Sequence, residues 1–314
     1  MFCSHSLGFQ LLRKNVGRNK AAEAVRGQSR AFSRRCPLQM VNKEQVATVT
    51  EQNGKAPAYT FTIVRHGHSS WNAANLFTGW ADVPLAEEGV AECKEAAEIL
   101  SKAGMGFDIV HTSMLKRAIQ TTWTILEEMD RMYTPIEYQW RLNERHYGEL
   151  QGRNKKETVE KFGADQVQIW RRSYDIPPPP VEGGKSNKWW PGNDARYAGV
   201  PEEELPFSES LLDTKKRVLP CWFGNILPDI VGGKRVLVSA HGNSIRALLQ
   251  YLDDIPDDVI TELNVPTGVP LCYYLDENLQ PLKHPDGIGP LSGNYLGDQE
   301  KIRARIEGVK KQTG

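Results

Sequence analysis

The chain has 314 residues, 39% apolar and 25% charged, with 39 basic and 39 acidic side chains. This is the composition of a soluble globular protein with a sizeable core. No stretch approaches the roughly 20 apolar residues of a membrane span, and zero net charge argues against a nucleic-acid binder, so neither partner is expected.

The zero is an average. Residues 1–40 hold eight Lys/Arg against a single acid, Glu23, a net of +7, and the rest of the chain carries −7. Leu7, Leu11 and Leu12 share one face of any helix in this leader, with Arg13, Lys14 and Arg18 close behind. An Arg- and Ser-rich, nearly acid-free start is the composition of an organelle transit peptide. Arg30-Ala31-Phe32-Ser33 resembles a mitochondrial processing site, so the mitochondrial matrix is the expected destination, with plastid or cytosol as alternatives. A secretory signal does not fit, because no apolar core of about 7–15 residues follows the first charges. The plainer alternative is a basic arm that contacts an acidic surface. Residues 41–58 are polar without hydrophobic periodicity and read as a linker.

From Tyr59 onward strand-like and helix-like segments alternate. Tyr59–Val64 is a β-branched and aromatic run, followed by Val90, Cys93, Ala97 and Leu100 at helical spacing. Phe107–Val110 is a second strand, leading to a helix expected to turn Leu115, Ile119, Trp123 and Leu126 inward. Arg235–Ser239 is a third, followed by Ile245, Leu248, Leu249 and Leu252. The alternation predicts one α/β domain over 59–299, with a mainly parallel central sheet and helices on both faces. Pro177–Gly199, with four consecutive prolines, is an irregular excursion. Cys93, Cys221 and Cys272 are far apart, and no C-x-x-C occurs, so small buried hydrophobes are expected rather than disulfides or zinc ligands.

Two of the strands end alike, in Val64-Arg65-His66-Gly67 and Ser239-Ala240-His241-Gly242. Ligands bind outside the carboxyl ends of parallel strands, so this echo suggests two imidazoles facing one pocket. Three chemistries could use them. A metal at His66 and His68 would lie beside the permanent charge of Arg65, with no carboxylate cluster nearby in sequence, so no metal is expected. An anion site fits Arg65, Arg117 and Arg171-Arg172, whose forked donors suit phosphate oxygens. The third builds on the second: a neutral histidine attacks phosphorus while flanking guanidiniums stabilise the transferring group.

Longer motifs extend this reading. Arg65-His66-Gly67, Ser70-Trp71-Asn72, Phe77-Thr78-Gly79-Trp80 and Ser113-Met114-Leu115-Lys116-Arg117-Ala118 resemble the cofactor-dependent phosphoglycerate mutases. So do Leu142-Asn143-Glu144-Arg145-His146-Tyr147-Gly148, Trp170-Arg171-Arg172, Ala240-His241-Gly242-Asn243-Ser244 and Asn264-Val265-Pro266-Thr267-Gly268-Val269-Pro270. Arg-His-Gly alone would suggest only the wider histidine phosphatase superfamily.

The resemblance implies an isomerase interconverting 3- and 2-phosphoglycerate, in glycolysis or gluconeogenesis, through a phosphohistidine at His66 primed by 2,3-bisphosphoglycerate. It implies that Arg65, Arg117 and His241 hold the phosphate with Asn72 and the Gly242 N–H, and that Glu144 is the general acid and base. Thr78, Gly79, Tyr147, Lys155, Arg171, Arg172 and Asn243 fall at positions that hold the rest of the substrate. A homodimer or homotetramer and a mobile closing tail over 300–314 are also implied. The alternatives are a bisphosphoglycerate mutase/phosphatase or other histidine phosphatase, and, from another class, a non-catalytic phosphate-binding protein. His68 departs from the family pattern, and Lys185–Trp190 and His284–Gly293 look like inserted, solvated loops.

Overall fold

The computed structural model describes residues 43–311, so the expected leader lies outside the described residues. The stretch read as a linker holds a helix, α1 (Lys43–Asn53). Its buried residue is Val49, which joins the core cluster containing Val64 and Leu282. The Asn53 amide also donates to the Lys283 carbonyl at 2.9 Å and accepts from the Lys283 N–H at 3.2 Å. One apolar anchor makes no period, which is why sequence pattern alone misses this helix.

β1 (Tyr59–Arg65) is followed by α2 (Ser70–Ala73), α3 (Glu87–Lys102), β2 (Ile109–Thr112), α4 (Lys116–Glu128) and β3 (Ile136–Tyr138). Next come α5 (Lys155–Phe162), α6 (Ala164–Arg172), α7 (Leu211–Cys221) and α8 (Leu227–Val231). β4 (Val236–Ala240), α9 (Gly242–Asp253), α10 (Asp257–Glu262), β5 (Pro270–Leu275), β6 (Asn294–Tyr295) and α11 (Gln299–Lys311) complete the chain. The sheet order is β3-β2-β4-β1-β5-β6. The first four strands in that order are parallel, whereas β5 runs antiparallel to β1, and β6, antiparallel to β5, closes that edge. The expected α/β architecture, with a mainly parallel central sheet, is therefore present, and the single reversed strand β5 makes the sheet mixed.

Strand periodicity divides the core in two. Phe61, Ile63, Val236, Val238, Leu271 and Tyr273 enter one cluster. Val64, Leu237, Cys272 and Tyr274 enter the other, together with the α3 residues Cys93, Ala96, Ala97 and Leu100. Cys93, Cys221 and Cys272 are free and buried, as expected. Helix faces are less faithful to the sequence reading. Val90, on α3, is 37% exposed, and on α4 Trp123 is 56% exposed, because that helix turns Ala118, Thr121, Thr122 and Ile125 inward alongside the expected Leu126.

Both inserted loops are anchored to the body by buried side chains, while Lys185, Lys188, Pro285 and Asp286 stay exposed. Trp190 is buried with Trp80, Val181, Tyr197 and Leu205, and stacks on Phe207 at 5.9 Å. His284 is fully buried and stacks on Tyr274 at 5.8 Å. The described part of the tail lies in α11, where Ile302 is buried in the core and Arg305 pairs with Glu95.

Candidate active site

The two His-Gly strand ends lie side by side. β1 and β4 pair in parallel with Arg65 opposite Ala240, and the His66 N–H donates to the Ala240 carbonyl at 3.0 Å. His66 and His241 therefore leave the sheet together, with ring centroids 4.9 Å apart. Both are buried, by 98% or more of their surface, at the carboxyl ends of the strands.

The hydrogen bonds around His66 select its tautomer. Nδ1 lies 2.7 Å from the Gly67 carbonyl, an acceptor only, so the proton resides on Nδ1. Nε2 is left with its lone pair, which accepts from the Arg117 Nε–H at 3.4 Å. Burial, then Arg117 and Arg65, push the His66 pKa well below its ordinary value, and His68 adds a smaller push in the same direction. The ring is neutral and nucleophilic at physiological pH. Gly67 lets the end of β1 pack against α3, since a Cβ there would lie 2.3 Å from the Gly89 carbonyl oxygen.

Arg117 opens α4 and is 1% exposed; its two terminal nitrogens donate to the carbonyls of Ala81 (3.0 Å) and Gly79 (2.8 Å). Burial draws it down to about 10, still a cation near neutrality. Arg65 donates through Nη1 to the Val265 carbonyl at 2.7 Å, while its buried Nε has no partner among the described residues. His241 stands behind His66, with Nε2 2.6 Å from the Ser113 hydroxyl and Nδ1 buried and unpartnered. It touches the His66 ring but does not line the pocket.

Glu144 reaches the site from the loop after β3. Its Oε1 accepts the N–H groups of Arg145 (2.8 Å) and Asn243 (3.1 Å), the latter from the first turn of α9. Burial raises this carboxyl, but the Arg145 N–H, Arg117, the Asn243 N–H and Arg65 together outweigh it and lower the pKa. Glu144 is thus ionised in the free protein, poised as a base. An anion neutralising Arg65 and Arg117 would raise it toward the protonated form an acid requires.

These groups share a cavity of about 100 Å³. Its lining includes His66, Asn72, Thr78, Gly79, Arg117, Glu144, Tyr147, Lys155, Arg171, Arg172, Gly242 and Asn243, together with Arg65. Every residue expected from sequence is therefore in the pocket or, for His241, against it. Burial and Arg171 bring Lys155 down to about 8. For Tyr147 burial acts upward, and Arg145 with Arg171 more than reverses it, to about 8.

Arg246 is the cation that sequence reading missed. It lines the pocket from α9, one turn after Gly242, and is fixed by the Leu263 carbonyl (2.6 Å) and Asn243 Oδ1 (2.9 Å). The i, i+4 spacing from Gly242 was the available signal. Six Lys/Arg side chains thus face one carboxylate in the lining. His68 stays outside the pocket, its N–H held by Glu92 at 2.8 Å. Among the described residues no group of three or more His, Cys, Asp or Glu is placed to hold a metal ion, and no helix is long and apolar enough to cross a membrane.

The sheet thus delivers a neutral histidine and a cluster of guanidiniums to one pocket whose chemistry suits phosphate oxygens. Residues 61–188 match the model of the histidine phosphatase superfamily (branch 1). Solved structures of similar fold include a mycobacterial glucosyl-3-phosphoglycerate phosphatase (23% identity, TM-score 0.52), matched over 68% of this chain and 92% of that one. The α-ribazole phosphatase from Shigella flexneri is similar at 19% identity and TM-score 0.55, over 76% and 98% of the two chains. YhfR from Bacillus stearothermophilus matches at 19% and 0.54, over 74% and 98%.

These findings correct the expectation of an isomerase, since the similar structures named for an activity are phosphatases. The physical reason for the miss is that mutase and phosphatase share the first half-reaction, phosphorylation of a histidine. They part only in whether a hydroxyl or water accepts the group, and the local motifs around His66 serve both.

Proposed function

We propose that the protein is a histidine phosphatase acting on small phosphate monoesters that carry a second anionic group, phosphoglycerates and 2,3-bisphosphoglycerate among them. The observation that carries this is the His66 tautomer: Nδ1 is held by Gly67, and Nε2 faces Arg117 at the floor of a pocket with six cations. The phosphoryl group docks on Arg65 and Arg117, with Asn72 and the α9 N-terminus at Gly242 assisting. Nε2 forms a bond to phosphorus as the ester P–O bond breaks, and protonated Glu144 gives its proton to the departing oxygen. Water then attacks the phosphohistidine, Glu144 takes its proton, and inorganic phosphate leaves.

Lys155, Arg171, Arg172 and Arg246 would hold the carboxylate or second phosphate of the substrate, with Tyr147 between them. The unpartnered Nε of Arg65 is a donor suited to an oxygen of the transferring phosphoryl group. In this reading 2,3-bisphosphoglycerate is a phosphoryl donor to His66.

The test is phosphate release from 3-phosphoglycerate and 2,3-bisphosphoglycerate by EDTA-treated protein, with trapping of an acid-labile phosphoenzyme. Release of inorganic phosphate in step with phosphoenzyme turnover is expected. Absence of phosphoenzyme would overturn the mechanism; transfer to a glycerate hydroxyl with no phosphate release would overturn the hydrolytic assignment.

A further inference from the structure

The geometry points to Glu209 and Arg217, outside the pocket, as a positioning pair that holds Glu144 in register with His66 for proton transfer. This inference rests on the proposed role of Glu144.

The two residues form a buried, two-pronged ion pair: Arg217 Nε to Glu209 Oε1 at 2.7 Å and Nη2 to Oε2 at 2.8 Å. Their remaining polar atoms all go to the loop that carries Glu144. Arg217 donates to the carbonyls of Arg141 (2.8 Å), Asn143 (3.2 Å) and Glu144 itself (3.2 Å). Glu209 accepts the His146 N–H on Oε2 at 2.8 Å, and its own N–H donates to the His146 carbonyl at 2.8 Å. The main chain on both sides of Glu144 is therefore pinned to one rigid unit. Trp80 closes it from above, its indole N–H donating to the Glu144 carbonyl at 2.5 Å and its ring 5.3 Å from the Arg217 guanidinium.

The pair is itself anchored. Ser210 and Asp213 make a reciprocal cap at the start of α7, immediately after Glu209, and Arg217 lies two turns along that helix. Stability alone is a weak reason for such a pair, because a buried ion pair is often no better than apolar residues of the same volume. What it supplies is partners for loop carbonyls that no sheet or helix satisfies. It does so around the residue whose carboxylate must be aimed.

Arg217→Lys removes the fork but keeps the charge, and Glu209→Gln keeps one acceptor but loses the charge. The measurement is the rate of His66 phosphorylation by two esters, with thermal unfolding as a check on folding. 3-Phosphoglycerate has an alkoxide leaving group that needs a proton from Glu144. p-Nitrophenyl phosphate releases a stable phenolate that needs none.

In the variants, phosphorylation by 3-phosphoglycerate is expected to slow about 100-fold, the cost of misplacing a catalytic group by about 1 Å. Substrate affinity and phosphorylation by p-nitrophenyl phosphate should each change less than about threefold, since neither depends on an aimed proton donor. Equal slowing toward both esters, or no slowing toward 3-phosphoglycerate, overturns the positioning role. If Arg217→Lys does not fold, Glu209→Gln makes the same comparison, and failure of both to fold assigns the pair to stability and overturns the proposal. A wild-type protein that forms no phosphoenzyme from either ester instead overturns the proposed function, and the positioning role with it.

Discussion

His66 and His241 leave neighbouring parallel strands at the same level, and their rings lie 4.9 Å apart, too close for both to carry charge beside Arg65 and Arg117. Burial, then Arg117, pushes the pKa of each well below the ordinary imidazole value. The nucleophile is thus kept neutral by its surroundings, and needs no separate base to activate it.

It follows that neither ring takes up a proton as the pH falls from about 8 to about 5.5, a range in which an ordinary histidine titrates. Nitrogen chemical shifts in ¹⁵N-histidine-labelled protein would show both rings unchanged over that range. A midpoint near the ordinary value for either would contradict the assigned environment. His66→Ala should abolish acid-labile phosphoenzyme and slow phosphate release by about 10³-fold or more. Persistent labelling in a folded variant would place the nucleophile elsewhere.

The far end of the pocket loses positive charge as pH rises. Lys155 is brought down to about 8 by burial and Arg171, and Tyr147 to about 8 chiefly by Arg145 working against burial. Above that pH the lysine becomes neutral and the phenol negative, so both changes disfavour an anionic substrate. kcat/KM for 3-phosphoglycerate should fall as the pH passes about 8. Lys155→Arg combined with Tyr147→Phe should move that limb upward by about one unit or more, because a guanidinium stays protonated and phenylalanine does not titrate. An unmoved limb would assign it to another group.

Stability should respond to acid through His146. Its Nδ1 accepts the Gly148 N–H at 3.0 Å and its Nε2 meets the Trp189 carbonyl at 3.0 Å, and burial lowers its pKa to about 4. An unfolded histidine binds a proton near pH 6.5, whereas the folded one refuses it until about 4. The sign is therefore clear: stability is full above pH 6.5 and is lost as pH falls toward 4, by about 1.4 kcal/mol per unit for each such residue. His66 and His241 act in the same direction. Urea unfolding of His146→Gln should show lower stability at neutral pH but a shallower acid dependence, smaller by about one proton; an identical slope would remove His146 from this account.

For the basic leader, residues 1–32 fused to a fluorescent reporter are expected to direct it to mitochondria. Diffuse signal throughout the cytosol would leave the basic-arm reading.

Residues 65–67 and 241–242 show how far local pattern reaches. A strand run ending in Arg-His-Gly, repeated as Ala-His-Gly, already places two imidazoles at strand ends, and parallel pairing with Arg65 opposite Ala240 brings them together. Arg171 and Arg172 were legible through a longer motif and Lys155 through the family resemblance, and all three line the pocket. Trp123 shows the opposite case: helical spacing pointed it inward, and it is 56% exposed because packing of α4 chose the Ala118–Thr122–Ile125 face. α1 had too little apolar periodicity to announce itself, and was fixed by contacts with residue 283, 230 positions away.

By itself the sequence determined the chemistry on offer, because an imidazole, a carboxylate and a set of guanidiniums are what they are at any position in space. The tertiary structure decided their states: which nitrogen of His66 keeps the proton, why Glu144 is ionised despite burial, and that Arg246 joins the cationic floor. It also brought Glu209 and Arg217, some 70 residues along the chain, beneath the Glu144 loop. Such states depend on desolvation and on distances between groups remote in sequence, and those quantities exist only once the chain has folded.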